Sequence, residues 1–275
     1  MARQRLGQHF LADPGWREEI ARAVRVSPRS LAPSAADVAD KNVCWIEIGA
    51  GHGEMTQHLL ATGLPVYAIE LDPQLAQRLG KLSKQFPNLS VIAGDILQVK
   101  LSELAAGRSL RIYGNLPYYI TSPILHHLFG STNLIEETHV VVQYEVALRL
   151  TARPGTRDYG YLSVLTQFFS RPELVLQIPH DAFRPPPEVD SALVTLRFPG
   201  ERARVGGIDE AGFLSFVKLC FSQKRKTLVN NAKSIAKPEI ARQALNSLGL
   251  RADARAEQLS VADLVALFRA LRAVD

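Results

Sequence analysis

The chain reads as an α/β protein with a mostly parallel sheet, followed by a smaller all-helical part. Three observations predict this. Short, continuous apolar runs alternate with helical segments through the first 199 residues, the pattern of buried parallel strands and their crossovers. The first of these runs ends in a glycine turn, and the next two end near an acid. After the stretch PGERARVGGI at 199–208 only helical segments follow. The expected domains are therefore 1–199 and 200–275.

Charge follows the same division. Residues 1–199 carry 19 cationic and 19 anionic side chains, whereas residues 200–275 carry 13 and 8, so the whole excess of +5 lies in the last quarter. A neutral large part joined to a basic small part suits an enzyme core with a polyanion-binding appendage. Hydrophobic residues make up 47% of the chain, enough for a substantial core, and no apolar run is long enough to span a membrane. The start, MARQRLGQHFL, is too polar for a signal peptide. Cys44 and Cys220 sit in apolar surroundings and read as reduced core residues. The seven histidines show no metal-ligand spacing, and the adjacent His126 and His127 point in different directions on a helix. A cytoplasmic monomer with no metal and no membrane contact is expected.

Taken in order, residues 3–11 form a basic lead-in ending in a small apolar knot. Asp13 caps, and Pro14 opens, a helix to about Val26. Residues 27–41 read as a loop. Val43–Ile48 is a buried strand, apolar except for Glu47, and runs into Gly49-Ala50-Gly51-His52-Gly53 and a helix over about 55–62. Glycine there allows a tight strand-to-helix turn and close approach of a ligand to bare backbone. The spacing is G-x-G-x-G; the dinucleotide fingerprint G-x-G-x-x-G would need glycine where Glu54 stands, so a ligand without a pyrophosphate fits better. The second strand, Pro65–Ile69, delivers Glu70, 19 residues after Gly51, to its tip. An acid placed so accepts both ribose hydroxyls of an adenosine. A helix to about Gln85 leads to a third strand, Leu89–Ala93, and then to Asp95, suited to an adenine amino group.

The next strand begins at Leu110, and Gly114 is expected to end it. Asn115-Leu116-Pro117-Tyr118 follows as a stiff loop, because Pro117 fixes its own φ and holds Leu116 extended. An amide oxygen beside a backbone carbonyl accepts both hydrogens of an exocyclic amine, and Tyr118 can stack on the base that carries it. Thr121 as cap and Pro123 open a helix to about 130. A strand at His139–Tyr144, helices at about 145–151 and 161–169, and strands at about 172–178 and 192–198 complete the core, with RPGTRDYG (153–160) as a loop that can cover the site. Pro185-Pro186-Pro187 hold their segment rigid and present Phe183 as a second stacking surface. In the tail, helices are expected over about 209–222, 226–235, 238–247 and 260–272. Lys224, Arg225 and Lys226 form a cationic step for RNA, with Lys233 and Lys237 nearby.

The glycine turn, Glu70 and Asp95 together describe an adenosine-containing ligand without phosphates, and S-adenosylmethionine answers that description. Its methyl group is already activated, so the protein mainly has to align a nucleophile. The amine of adenine is a poor one, because its lone pair is delocalised into the ring. Hydrogen bonds from that amine to the Asn115 side-chain oxygen and the Leu116 carbonyl favour a pyramidal nitrogen, a stabilisation greater in the transition state than in the ground state.

GQHFL at 7–11, EIGAGHG at 47–53, Glu70, GDIL at 94–97, GNLPYYIT at 114–121, FRPPPEVDSA at 183–192 and FSQKRKTLVNN at 221–231 together resemble the ribosomal RNA adenine dimethyltransferase family. The resemblance implies a seven-stranded, Rossmann-like class I methyltransferase core with a small helical C-terminal domain. It implies a cofactor site lined by His9, Leu11, Gly49, Glu70, Asp95 and Asn115. Its substrate would be two adjacent adenines in the 3′-terminal hairpin loop of 16S rRNA, within the small ribosomal subunit or its precursor. His9 stands where many members have Asn, and Tyr119 where some do. Two other readings share these motifs: a resistance-type methyltransferase of large-subunit RNA, and an assembly factor acting chiefly by binding. A DNA adenine methyltransferase would usually carry an acid at the position of Asn115. An NAD-dependent dehydrogenase is disfavoured by the glycine spacing.

Overall fold

The computed structural model describes residues 9–24, 42–223 and 225–272. The expected lead-in at 3–8, the end of the first helix at Val26, the loop at 27–41 and Lys224 lie outside them. The described residues fall into two compact units, one drawn from Met1–Ala147 and Glu173–Phe198, the other from Leu148–Pro172 and Pro199–Asp275.

The first unit holds a seven-stranded sheet of order β4-β3-β2-β5-β6-β9-β7. Its strands are β2 (Val43–Ile48), β3 (Val66–Glu70), β4 (Leu89–Ala93), β5 (Ser109–Asn115), β6 (Ile135–Gln143), β7 (Arg171–Ile178) and β9 (Ser191–Arg197). β4, β3, β2, β5 and β6 run parallel, and β9 pairs antiparallel with β6. Every residue of β2 is buried, as its apolar run predicts. Trp45, Val66, Tyr113, Leu193 and Phe183 share one core cluster with Ile20 of the first helix, Pro14–Ala23. Asp13 caps that helix through Trp16 N at 3.0 Å, and Asp72 caps the helix Pro73–Leu82 in the same way. A separate pair, β1 (Phe10–Leu11) and β8 (Phe183–Arg184), sets Leu11 opposite Phe183.

Three local expectations change. Gly114 does not end its strand: β5 runs on through Asn115, and a Cβ at Gly114 would lie 2.8 Å from Leu116 Cδ2 and 3.2 Å from Ile48 Cβ. Glycine is there for lack of room. Thr121 is the first residue of its helix, Thr121–Phe129, rather than its cap, and its hydroxyl donates back to Pro117 O at 3.2 Å. β6 begins at Ile135, four residues before the apolar run does, because the polar stretch Glu136–Thr138 continues the ladders on both sides.

The second unit is helical. Tyr161–Phe169, Glu210–Cys220 and Val261–Arg272 bring Phe168, Phe213 and Phe268 together, the first two rings 4.9 Å apart and the last two 5.8 Å. This corrects the boundary at 199, since Leu148–Pro172 belongs with the tail. The reason is that Tyr161–Phe169 is apolar nearly all round and buries its phenylalanines among the C-terminal helices. The stretch from Pro199 is likewise no free linker. Gly200 N donates to Phe169 O at 2.9 Å, and a Cβ there would come within 2.4 Å of Ser170 N. The loop 153–160 is fastened within this unit, Gly155 N donating to Glu257 O at 2.7 Å. The helix expected over 226–235 is shorter: one turn at Leu228–Asn231, capped by Thr227, and then a 3₁₀ turn at Ala232–Ser234. Ser260 caps the last helix, its hydroxyl accepting from Asp263 N at 3.1 Å.

Candidate active site

The carboxyl ends of β2, β3 and β5 meet around three clefts that all share Gly49. The first, about 420 Å³, lies between His9, Phe10, Glu70 and the loop Asn115–Tyr118. The second, about 460 Å³, has an apolar floor from Ile48, Ile69, Ile96 and Ile124, with Asp95 at one side and Leu71 and Tyr119 at the rim. The third, about 340 Å³, lies under Phe10 and Leu11 and is lined by Glu47, Gly51, Tyr113 and Asn115.

Backbone amides hold the acids. Glu70 is 2% exposed; its Oε2 accepts from Gly51 N at 2.8 Å and its Oε1 from Asp72 N at 2.9 Å. Each carboxylate oxygen keeps a further lone pair for a ligand hydroxyl. Asp95 Oδ1 accepts from Leu97 N at 2.9 Å, capping the 3₁₀ turn Ile96–Gln98. The glycine turn serves the same framework. Gly49, Gly51 and Gly53 all have positive φ, and a Cβ on Gly51 would meet the Phe10 ring at 3.0 Å. What approaches Gly51 here is thus Phe10, whose ring lies 4.7 Å from that of His52, tilted by 50°.

The loop after β5 is held differently. Asn115 Nδ2 donates to His9 O at 2.8 Å, which leaves Oδ1 as an acceptor at the junction of the first and third clefts. Leu116 is buried, and its amide donates to Val141 O at 3.0 Å. Pro117 then turns the chain into Tyr118–Ile120. The Tyr118 hydroxyl pairs with Ser191 Oγ at 2.9 Å, and its ring stacks with His9 at 5.5 Å and 28°. His9 itself donates from Nδ1 to Pro185 O at 2.8 Å. His9 therefore already uses one face of Tyr118.

Phe183 departs from expectation. Its ring is 1% exposed and belongs to the core cluster with Leu11, Tyr113 and Leu193. Backbone pairing with Leu11 draws the residue inward, so in this structure it offers no stacking face to a base. Sequence reasoning also missed three contributors. Ser191 orients Tyr118, and its position in the DSA of the Pro-rich motif was the available signal. Tyr113 lies directly across from Glu47 in the β2–β5 register, inside a run that reads as plain core. Asn231 is buried and donates from Nδ2 to Cys220 O at 2.6 Å and Gln223 O at 3.2 Å, tying down the turn that carries Arg225 and Lys226. Those two cations are exposed, with Lys233 and Lys237, in the second unit. Both cysteines are buried and unbridged. Among the described residues no group of His, Cys, Asp and Glu could hold a metal, and no helix is long and apolar enough to cross a membrane.

Comparison with known proteins fits this geometry. The profile of the ribosomal RNA adenine dimethylase family matches residues 1–273. The chain belongs to that family. It is 38% identical to the ribosomal RNA small subunit methyltransferase A of Koribacter versatilis, over 98% of this chain and 94% of that one. To the protein of the same name from Acidobacterium capsulatum it is 40% identical, over 97% and 90%. Among solved structures, a dimethyladenosine transferase from Plasmodium falciparum superposes with a TM-score of 0.77 at 24% identity, covering 94% of this chain and 96% of that one, and supports the fold. The 23S rRNA methyltransferase ErmE gives 0.69 at 25%, covering 96% and 99%. The family's sheet and helical tail are thus those described above.

Proposed function

We propose that the chain is an S-adenosylmethionine-dependent enzyme that dimethylates the exocyclic amines of two adjacent adenines in the 3′-terminal hairpin loop of 16S rRNA. It would act on the small ribosomal subunit or its precursor, in the cytoplasm. The observation that carries the reading is Asn115, whose amide is pinned through Nδ2 while Oδ1 stays open where two clefts join. Membership of the dimethylase family, and 38–40% identity to proteins named for the small subunit, support the choice of RNA.

The residues fit the cofactor. The apolar second cleft with Asp95 suits an adenine ring and its amine, and Glu70 suits the ribose hydroxyls. Gly49, bordering all three clefts, lets a ligand lie across the strand ends. The unpaired hydroxyl of Tyr113 in the third cleft still lacks a partner that a ligand would supply. When bound, S-adenosylmethionine supplies a methyl group activated on a sulfonium. The chain does the rest by positioning. Asn115 Oδ1 and the Leu116 carbonyl accept the two amine hydrogens of the target, Pro117 keeps them rigid, and Tyr118 holds the base by its free face, a stacking worth about 1–3 kcal/mol. Phe183 would join only by turning out of the core. Lys224, Arg225 and Lys226 would bind RNA phosphates.

The test is methyl transfer from labelled S-adenosylmethionine to small subunits lacking the modification, followed by nucleoside analysis. Dimethyladenosine confined to the 3′-terminal hairpin is the expected outcome. Transfer to large-subunit RNA instead would move the assignment to the activity for which ErmE is named. Tight subunit binding without transfer to either would make the chain an assembly factor.

A further inference from the structure

Among the described residues five large apolar side chains are exposed, and the three that belong to the first unit, Leu71, Tyr119 and Val189, all lie about the candidate site. Leu71 and Tyr119 stand at the rim of the second cleft, and Val189 is two residues before Ser191, which holds the Tyr118 hydroxyl. Single apolar side chains on a surface are ordinary, but a group of them around a cleft marks a place where something docks. Tyr119 is the most exposed of the three, at 57%, and the chemistry proposed above gives it no task.

Its place on the chain says what it can do. Tyr118 and Tyr119 are consecutive residues of the 3₁₀ turn Tyr118–Ile120, where each residue points about a third of a turn away from the last. Tyr118 lines the first cleft, Tyr119 the second, and Pro117 borders both. The turn thus presents two neighbouring rings in different directions, one half-buried with its hydroxyl held by Ser191, the other open to solvent.

We propose that Tyr119 is a stacking platform for the second adenine of the pair, the base that stays outside while its neighbour occupies the first cleft. This rests on the dimethylase reading above. Drawing one adenine out of a stack strips its neighbour of a stacking partner, and an exposed ring beside the cleft replaces it. The chemistry of the pair favours a ring over a polar contact. Whichever adenine is modified second enters the cleft when the base beside it is already dimethylated and has no amine hydrogen to donate. A hydrogen-bonding site for the outside base would accept the unmodified partner and refuse the modified one, whereas a π-face takes both. The other ligand within reach is the cofactor, whose base is assigned to the second cleft. A ring more than half exposed keeps most of its surface for something outside that cleft. Some family members have Asn at this position, a side chain that can hydrogen-bond but cannot stack.

The test uses the full chain and small subunits reconstituted with either the intact adenine pair or an abasic nucleotide in place of one adenine. Transfer from labelled S-adenosylmethionine to the remaining adenine is the readout. On the intact pair, Tyr119→Asn should lower kcat/KM for the subunit about 5- to 100-fold, the scale of one base–aromatic stack. Tyr119→Phe, which keeps the ring, should restore the parent value. Beside the abasic nucleotide the parent and Tyr119→Asn should be alike, because no second base is left to stack. Calorimetry with S-adenosylhomocysteine should give one affinity for all three proteins, and their melting temperatures should coincide, since only an exposed side chain is exchanged. Equal kcat/KM for parent and Tyr119→Asn on the intact pair, or a loss that persists beside the abasic nucleotide, would overturn the second-base site. A matching loss of S-adenosylhomocysteine affinity would overturn it too, giving Tyr119 to the cofactor in the second cleft. A parent that methylates no subunit adenine at all would overturn the dimethylase reading on which the site rests.

Discussion

The two halves of the candidate site are held by different means. On the cofactor side the acids are fixed by backbone: Gly51 N and Asp72 N hold Glu70, and Leu97 N holds Asp95. On the base side the groups are fixed by side chains and by the N-terminal segment: Asn115 donates to the His9 carbonyl, and Tyr118 lies between Ser191 and the His9 ring. A ligand reused in every turnover meets a surface that needs no rearrangement. A base that must enter and leave meets one whose contacts can be traded. If so, substitutions on the two sides should separate turnover from cofactor affinity.

The largest effect is expected at Asn115. Asn115→Ala removes the acceptor for the target amine, and by analogy with the loss of one preorganised transition-state contact, kcat should fall by about 10²–10³-fold. Cofactor affinity measured by calorimetry should change little. A matching loss of both would mean that the tie to His9 O, rather than the open Oδ1, is what Asn115 contributes, and the distinction between the halves would collapse.

The opposite separation is expected at Glu70. Glu70→Gln keeps the shape but replaces one acceptor oxygen with an amide that cannot accept from both Gly51 N or Asp72 N and a ribose hydroxyl. Cofactor affinity should drop by about 10–100-fold, the scale of a lost charge-assisted hydrogen bond. Turnover at saturating cofactor should stay within a few-fold. A collapse of kcat at saturation would show that the acid also shapes the base side.

The same contrast governs how much of the site could be read in advance. The places of Glu70, Asp95 and Asn115 on the cleft walls are legible in the sequence, because each lies where an apolar run stops, and period and punctuation mark such places. Residues whose role depends on which strand lies beside which were not. Tyr113 looks like core until β5 is laid against β2, and Ser191 becomes visible only when β9 brings it to Tyr118. Phe183 was misplaced for the same reason, because a proline-stiffened segment says nothing about which way its neighbour faces. Gly114 reads as punctuation in the sequence, although it, like Gly200, is glycine because another element leaves no space for a Cβ. The helix Tyr161–Phe169 gave its apolar surface in sequence, but not the helices it would choose.

The basic turn of the second unit should respond more weakly, and through salt. Replacing Lys224, Arg225 and Lys226 with alanine removes up to three phosphate contacts, so the slope of log affinity against log salt should flatten by about 2–3, at roughly 0.7–0.9 per contact. Binding should weaken for all RNAs alike, without a change in which adenines are modified. An unchanged slope would place the phosphates elsewhere. A changed target would give this turn a part in selection that the exposure of Arg225 and Lys226 does not suggest.

The smallest effect concerns pH, and it isolates the site from its scaffold. Away from the clefts, toward the start of β6, Glu137 lies 3.3 Å from both His139 Nε2 and Arg197 Nε, and these contacts hold its carboxyl down at about 2. His139 is also lowered, chiefly by burial, with its Nδ1 on the Thr195 hydroxyl at 2.9 Å. Both shifts have the same sign for stability. A carboxyl depressed in the fold contributes fully above its unfolded value, near 4.5, and loses that contribution as pH falls toward 2. A histidine kept neutral in the fold costs stability once the unfolded chain can protonate it, below about 6.5. This scaffold pair therefore gives no reason for stability to change between pH 7 and 9, the window in which Glu47 titrates. Glu47 does give one: its carboxyl is raised by burial in the fold from 4.5 to about 8, so stability is lost as pH climbs through that range. The melting temperature should fall between pH 7 and 9 in the parent and in Glu137→Gln alike, while Glu137→Gln should lower the melting temperature at pH 7 by a few degrees and narrow the gap between pH 7 and pH 4. A fall between pH 7 and 9 that disappeared in Glu137→Gln would mean that the cleft and the sheet titrate as one body, and the division between a fixed scaffold and a responsive site would fail.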